Sequence, residues 1–155
     1  MKKSKILKYA QSSTLMDIDI QNSGERIRFN LFREIQISTS IISKEIKDQP
    51  SYYGFLTMLH KNLLKLLGEA KIKEKKAFAS AYLKNKAGIN KETNRPNSDD
   101  VAKQKAELDI SYLKAQQNLL NIQYDTNRVE ACVRSFEQRK DMLQTLSANR
   151  RKERE

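Results

Sequence analysis

The chain has 155 residues and sets 30 Lys and Arg against 19 Asp and Glu, a formal net charge of +11, so an anionic partner is expected: nucleic acid, an anionic membrane or an acidic protein. Four Gly, two Pro, no Trp and 32% charged residues describe long helices, an elongated all-α protein, rather than a compact α/β domain. A single Cys132 and a single His60 exclude a disulfide framework within the chain and a cysteine-cluster zinc site; no metal or other cofactor is expected.

Residues 1–24 read as a basic flexible arm followed by an extended linker. Lys2, Lys3, Lys5 and Lys8 carry no compensating acid, and no apolar segment follows that would make them the start of a secretory signal. No run approaches the ~18 apolar residues of a membrane span. A soluble, cytoplasmic protein with no membrane contact is therefore expected. Met16-Asp17-Ile18-Asp19-Ile20 alternates with period two, as a short strand or extended linker would. No partner strand is evident for it, and Asn22-Ser23-Gly24 reads as a turn with Ser23 as a helix N-cap.

The rest, residues 25–155, reads as one helical domain. A first helix is predicted over about 25–47, from Ile27, Leu31, Ile35, Ile42 and Ile46 at helical spacing, and Asp48-Gln49-Pro50-Ser51 should end it. A second helix follows over about 52–86. Its apolar face is Leu56, Leu59, Leu63, Leu66, Leu67, Ala70, Ala77 and Ala81, and Gly68 marks close packing or a soft point. Ala87-Gly88 stops it, residues 89–98 form a loop, and Ser98-Asp99-Asp100 cap a third helix over about 99–150. In this last helix Leu108, Ala115, Ile122, Val129, Phe136 and Leu143 recur every seven residues. Tyr112, Leu119, Thr126, Val133, Lys140 and Ser147 interleave with them, completing a coiled-coil seam. Such a helix is roughly 75 Å long and cannot bury its stripe on itself. The second and third helices should form an antiparallel hairpin in which the third overhangs from about Thr126. Leu119, Ile122, Val129, Val133, Phe136, Leu143 and Leu146 of this helix would meet other subunits, those after Thr126 on the overhang.

The sequence offers no catalytic constellation: no Gly-rich phosphate loop, no metal-ligand spacing, and one His beside Leu59 and Lys61 on a helix surface. Cys132 flanks the seam as a small packing residue. A non-enzyme is expected. The basic half of the second helix is more informative. Lys71, Lys73, Lys75, Lys76, Lys84 and Lys86 face only Glu69 and Glu74, and Phe78 and Tyr82 share a face four residues apart. Lysines neutralise phosphates and aromatic rings stack bases, a combination that suits sequence-independent binding of a single strand. The competing reading packs both rings against the third helix and leaves the lysines as a solvated rim.

The layout of a Pro/Ser turn, a helix with Lys75-Lys76-Ala77-Phe78-Ala79-Ser80-Ala81-Tyr82-Leu83, a Gly stop, a loop, and a long helix with Leu108-Asp109, Asp125 and Val129-Glu130-Ala131-Cys132-Val133-Arg134-Ser135-Phe136 resembles the phage recombination mediators of the UvsY type, over roughly residues 25–148. The resemblance implies a ring-like homo-oligomer. It also implies a protein that binds single-stranded DNA, helps displace single-strand-binding protein and loads a RecA-like recombinase. In that family the Lys-rich helix binds DNA and the C-terminal helix drives assembly. Lys75 and Lys76 match the start of the family's basic motif. Ser80 and Tyr82 stand where later basic positions would be, and Lys84 and Lys86 supply charge one turn on. The alternative is a coiled-coil structural, adaptor or secretion-chaperone-like protein with no nucleic-acid role. A nucleoid-type binder of duplex DNA is a third reading.

Overall fold

The computed structural model describes residues 17–22, 25–90 and 94–153; the basic arm expected at residues 1–12 lies outside them. In chain order the elements are β1 (Asp17–Asn22), β2 (Glu25–Asn30), α1 (Leu31–Glu34), a 3-10 turn (Thr39–Ile41), α2 (Ile42–Lys86), β3 (Ile89–Asn90), β4 (Arg95–Pro96), α3 (Asp99–Glu107) and α4 (Ile110–Lys152). The protein is all-α apart from these short strand pairs. Its contacts divide it into a terminal unit, residues 1–62 with 127–155, and a central unit, residues 63–126. Both α2 and α4 contribute to both units.

In the terminal unit, β1 and β2 pair antiparallel, from Asp17 opposite Asn30 to Asn22 opposite Glu25. Side chains alternate across a strand, so Ile18 and Ile20, paired with Phe29 and Ile27, share one face and are buried. The other face carries Asp19, which accepts from Arg26 Nε at 2.8 Å and Nη2 at 2.7 Å and from Arg28 Nε at 3.1 Å. The Arg26 hydrogen bond lowers the Asp19 carboxyl to about 2. This hairpin takes residues 25–30 of the helix expected over residues 25–47, and the remainder is divided among α1, the 3-10 turn and the start of α2. Ile27, Leu31 and Ile35 fit a helical period, but Ile27 and Phe29 equally fit period two, and pairing with β1 satisfies the backbone of both segments at once.

Nor does Pro50 end a helix. It lies inside α2, which begins at Ile42 and runs 45 residues. A proline there removes one helical hydrogen bond and costs about 3 kcal/mol. That cost is offset from outside the helix. Ile42 is buried, and Gln49 Nε2 donates to the Phe136 carbonyl at 2.7 Å. Glu45 pairs with Arg139, which is only 5% exposed. Arg139 also donates to Gln49 Oε1, and its guanidinium lies 5.8 Å from the Phe136 ring centroid.

With α2 starting ten residues before the expected second helix, α4 has no overhang. Val129, Phe136 and Leu143, assigned above to contacts between subunits, are 0%, 1% and 2% exposed within their own chain. Cys132 is buried on the same helix between Val129 and Phe136, while Tyr52 of α2 brings its ring to 5.9 Å from that of Phe136. Val133 and Leu146 are half-buried. Burial raises the Cys132 thiol to about 11, as expected of a packing residue.

In the central unit the buried apolar residues are Leu63, Ala70, Ala81, Ala102 and Ala106, so the helices meet largely through small side chains. Leu119 and Ile122 are half-buried here. Gly68 is not a close-packing point: a methyl group added there would meet nothing within 4 Å. The segment after α2 folds back through the β3–β4 pair, Ile89 opposite Pro96 and Asn90 opposite Arg95. The Ser98 hydroxyl caps α3 by accepting from the Val101 amide at 3.4 Å, as its position before Asp99-Asp100 predicts. The third helix expected over 99–150 is broken at Leu108-Asp109. The Asp109 carboxylate accepts from the Ser111 amide at 2.8 Å and starts α4 afresh. Leu108, first in the heptad row, is consequently 74% exposed and outside the seam.

Candidate nucleic-acid interface

The lysine-rich half of α2 lies wholly in the central unit. Straight-chain Lys, Glu and Leu with interspersed Ala keep helix propensity high from Leu63 to Lys86. The buried positions Leu63, Ala70 and Ala81 fix which face is turned inward. At about 100° per residue, Lys71, Lys75 and Lys86 then fall on one flank of that face and Lys73, Lys76 and Lys84 on the other. The cations form two flanking rows rather than one stripe.

Lys71, Lys73, Lys75, Lys76 and Lys84 are exposed, and none makes a salt bridge among the described residues. The acids that could neutralise them are few. Glu74 is half-buried and turned to the Tyr112 hydroxyl; burial first, and then Glu74, raises that phenol. Glu69 is exposed. Lys86 differs from the other lysines: it pairs with Asp99, which raises its ammonium pKa and holds the Asp99 carboxyl below the ordinary range.

The aromatic residues are placed differently from the stacking platform read from the sequence. Phe78 packs edge-on against Tyr112, with ring centroids 5.3 Å apart and planes at 63°. Tyr82 donates its hydroxyl to Asp99 at 3.1 Å, which raises its own pKa. Both rings are half-buried. The fold therefore brings Tyr82, Lys86 and Asp99 together at the α2 C-terminus, beside Asn97, whose side-chain Nδ2 donates to the Asn85 carbonyl at 2.7 Å. It leaves the five other lysines projecting into solvent.

Sequence reading missed the partner role of Asp99. The signal was there, since a carboxylate at the start of a helix that follows a tight reversal lies next to the end of the helix before it. Among the described residues no group of three or more His, Cys, Asp and Glu could hold a metal ion, and no helix is long and apolar enough to cross a membrane. No protein-family model, no curated protein and no solved structure matches the chain.

Proposed function

We propose that this protein binds single-stranded DNA without sequence preference and acts as a recombination mediator, helping to load a RecA-like recombinase in place of single-strand-binding protein. The observation that carries strand binding is the set of five exposed lysines on α2 with no salt-bridge partner among the described residues, in a chain of net charge +11. From Lys71 to Lys84 they span about 20 Å of helix, enough to follow several phosphates. The mediator role and its partners rest on the resemblance to UvsY-type proteins alone. Mediation needs no bond chemistry, only preferential binding of the extended strand and the recombinase over the strand held by its binding protein.

Because Phe78 and Tyr82 are engaged inside the unit, binding is assigned to phosphate contacts, and base stacking is secondary. One strand lying along the row of Lys73, Lys76 and Lys84 makes three phosphate contacts, which predict a slope of log K against log salt of about −2, or roughly a twentyfold loss of affinity between 50 and 200 mM salt. Fluorescence anisotropy with a labelled oligothymidine measures this directly. Reversing Lys75, Lys76 and Lys84 to Glu should remove binding while helicity stays unchanged. A salt slope near zero, or unchanged affinity in the triple variant, overturns the assignment. Equal or better affinity for duplex supports the nucleoid-type reading instead. The packed state of the two rings favours the adaptor alternative, which predicts no DNA binding at any salt concentration.

A further inference from the structure

Where α2 begins and α4 ends, the two helices enclose a notch that lies wholly in the terminal unit. It holds about 350 Å³, and its walls are mainly apolar. Ile46, Pro50 and the buried Leu143 form its floor, and the exposed Lys140 and Arg151 stand at its rim. A smaller notch of about 110 Å³ shares Ile46, Ser147 and Arg151 with it and adds Arg150. The sequence places these groups simply. Lys140, Gln144, Ser147 and Arg151 are spaced four, three and four apart, so they keep to one side of Leu143 along about 16 Å of α4. On α2, Glu45 and Asp48 fall on the opposite flank from Ile46 and Pro50 at 100° per residue. There they line a separate cleft in which Glu34, Glu45 and Asp48 balance Arg33, Lys44 and Arg139. The notch and its extension have three cations and no acid in their lining. The nearest carboxylates on this side are Glu137, which accepts from the Tyr53 hydroxyl at 2.8 Å, and Asp141, 3.7 Å from the Lys140 ammonium in an exposed pair of little worth. Arg150 and Arg151 make no salt bridge among the described residues.

We propose that this notch docks an acidic peptide segment of a partner protein. One bulky apolar side chain of the peptide enters against Ile46, Pro50 and Leu143, and its carboxylates meet Lys140, Arg150 and Arg151. Apolar burial supplies the affinity, and the cations select and orient the peptide. An arginine can take a carboxylate through two parallel hydrogen bonds, which suits the rim to Asp and Glu side chains. The combination of floor and rim excludes other occupants. A nucleic acid would use the cations but find no aromatic ring to stack on and leave the apolar floor uncovered. A second copy brings a net charge of +11, and the chain's own residues 1–12 carry four lysines and no acid, so both meet the rim cation to cation. The other exposed apolar patch of this unit, Tyr52, Phe55 and Met58, lies in a stretch without charge that selects no occupant. Peptide docking uses the terminal unit and strand binding uses α2 in the central unit, so either can fail alone.

The test is fluorescence anisotropy of a labelled peptide, Glu-Asp-Phe-Leu-Asp-Glu, titrated with the full chain to about 0.5 mM at low salt. The peptide should bind, and the same peptide with serine in place of its phenylalanine and leucine should bind about tenfold more weakly. Lys140→Glu with Arg151→Glu should weaken binding at least about tenfold and leave the far-ultraviolet circular dichroism unchanged, because both positions are exposed. Ile46→Ser, which removes only an apolar wall, should weaken it about threefold. Lys75→Glu with Lys76→Glu makes the same change of net charge on exposed positions of the central unit and should bind like the natural chain. Absence of peptide binding, equal binding of the serine peptide, unchanged affinity in the Lys140 and Arg151 variant, or an equal loss in the Lys75 and Lys76 variant overturns the proposal. If the Lys140 and Arg151 variant loses oligothymidine binding instead of peptide binding, the rim belongs to nucleic acid and the proposal fails.

Discussion

The two units are built from the same pair of helices but closed with different side chains. The terminal unit buries Phe136, Ile20, Leu59, Leu143 and Val129 and adds a buried guanidinium, Arg139, shared between Glu45 and Gln49. The central unit closes on alanines and on a hydrogen-bonded tip, and it turns Leu64, Ile72, Leu83, Leu113 and Leu120 outward. Large buried side chains and a paired internal charge are costly to disturb, whereas a small-residue interface gives up little when altered. The terminal unit is therefore where stability is concentrated. The central unit carries the exposed lysines of α2 that have no salt-bridge partner among the described residues, while both units turn large apolar side chains outward, Phe55 and Met58 in the terminal unit among them.

Substitutions test this contrast, beginning with the largest effect. Phe136→Ala empties the centre of the terminal unit and should cost about 3–5 kcal/mol in urea unfolding, the usual range for a buried aromatic. Glu45→Ala leaves Arg139 buried without its carboxylate and should cost about 3 kcal/mol. Replacing both, Glu45→Met with Arg139→Leu, should recover most of that loss, since an apolar pair of similar volume does not need the missing charge. If the double variant is no better than the single one, Arg139 is doing more than pairing. In the central unit the sign reverses. Gly68→Ala, with open space around the new methyl, should stabilise by about 0.5–1 kcal/mol.

The smallest effect is a pH dependence at the tip. Asp99 is held below the ordinary carboxylate range, first by the hydrogen bond from Lys86 and then by that from Tyr82. A carboxyl with a depressed folded-state pKa contributes its stability above the ordinary value and loses it as pH falls through the folded one. The Asn97 amide, which donates to the Gly88 carbonyl at 3.0 Å, should keep its chemical shift from about pH 7 to about pH 5 and move only below about pH 4. In Asp99→Asn it should sit at the shifted position throughout. A shift that moves with pH equally in both proteins would separate the tip from Asp99.

The long helices were legible because Leu56, Leu59 and Leu63, and Val129, Phe136 and Leu143, repeat at a spacing that serves no other structure. The hairpin was not, because Ile27 serves both a helical and a strand period. Asn22-Ser23-Gly24 reads as a turn in either case, and what points to a strand rather than a helix after it is the second alternating run, Ile27 and Phe29. At the candidate site, lysine exposure could be read from composition and period. The placing of Phe78 and Tyr82 could not: whether a ring at helical spacing turns inward depends on what the neighbouring helix offers, here Tyr112 and Asp99.

Pro50 has a consequence beyond its energetic cost. Proline is favoured at the first position of a helix, where its missing N–H is not needed. Helix α2 therefore has two legitimate beginnings, Ile42 and Pro50, and the first eight residues can peel away without leaving a badly formed end behind. Those residues are held by Glu45 and Gln49, both bonded to the one guanidinium of Arg139. Arg139 on α4, with the buried Ile42 and the Gln49 bond to the Phe136 carbonyl, thus sets where α2 starts.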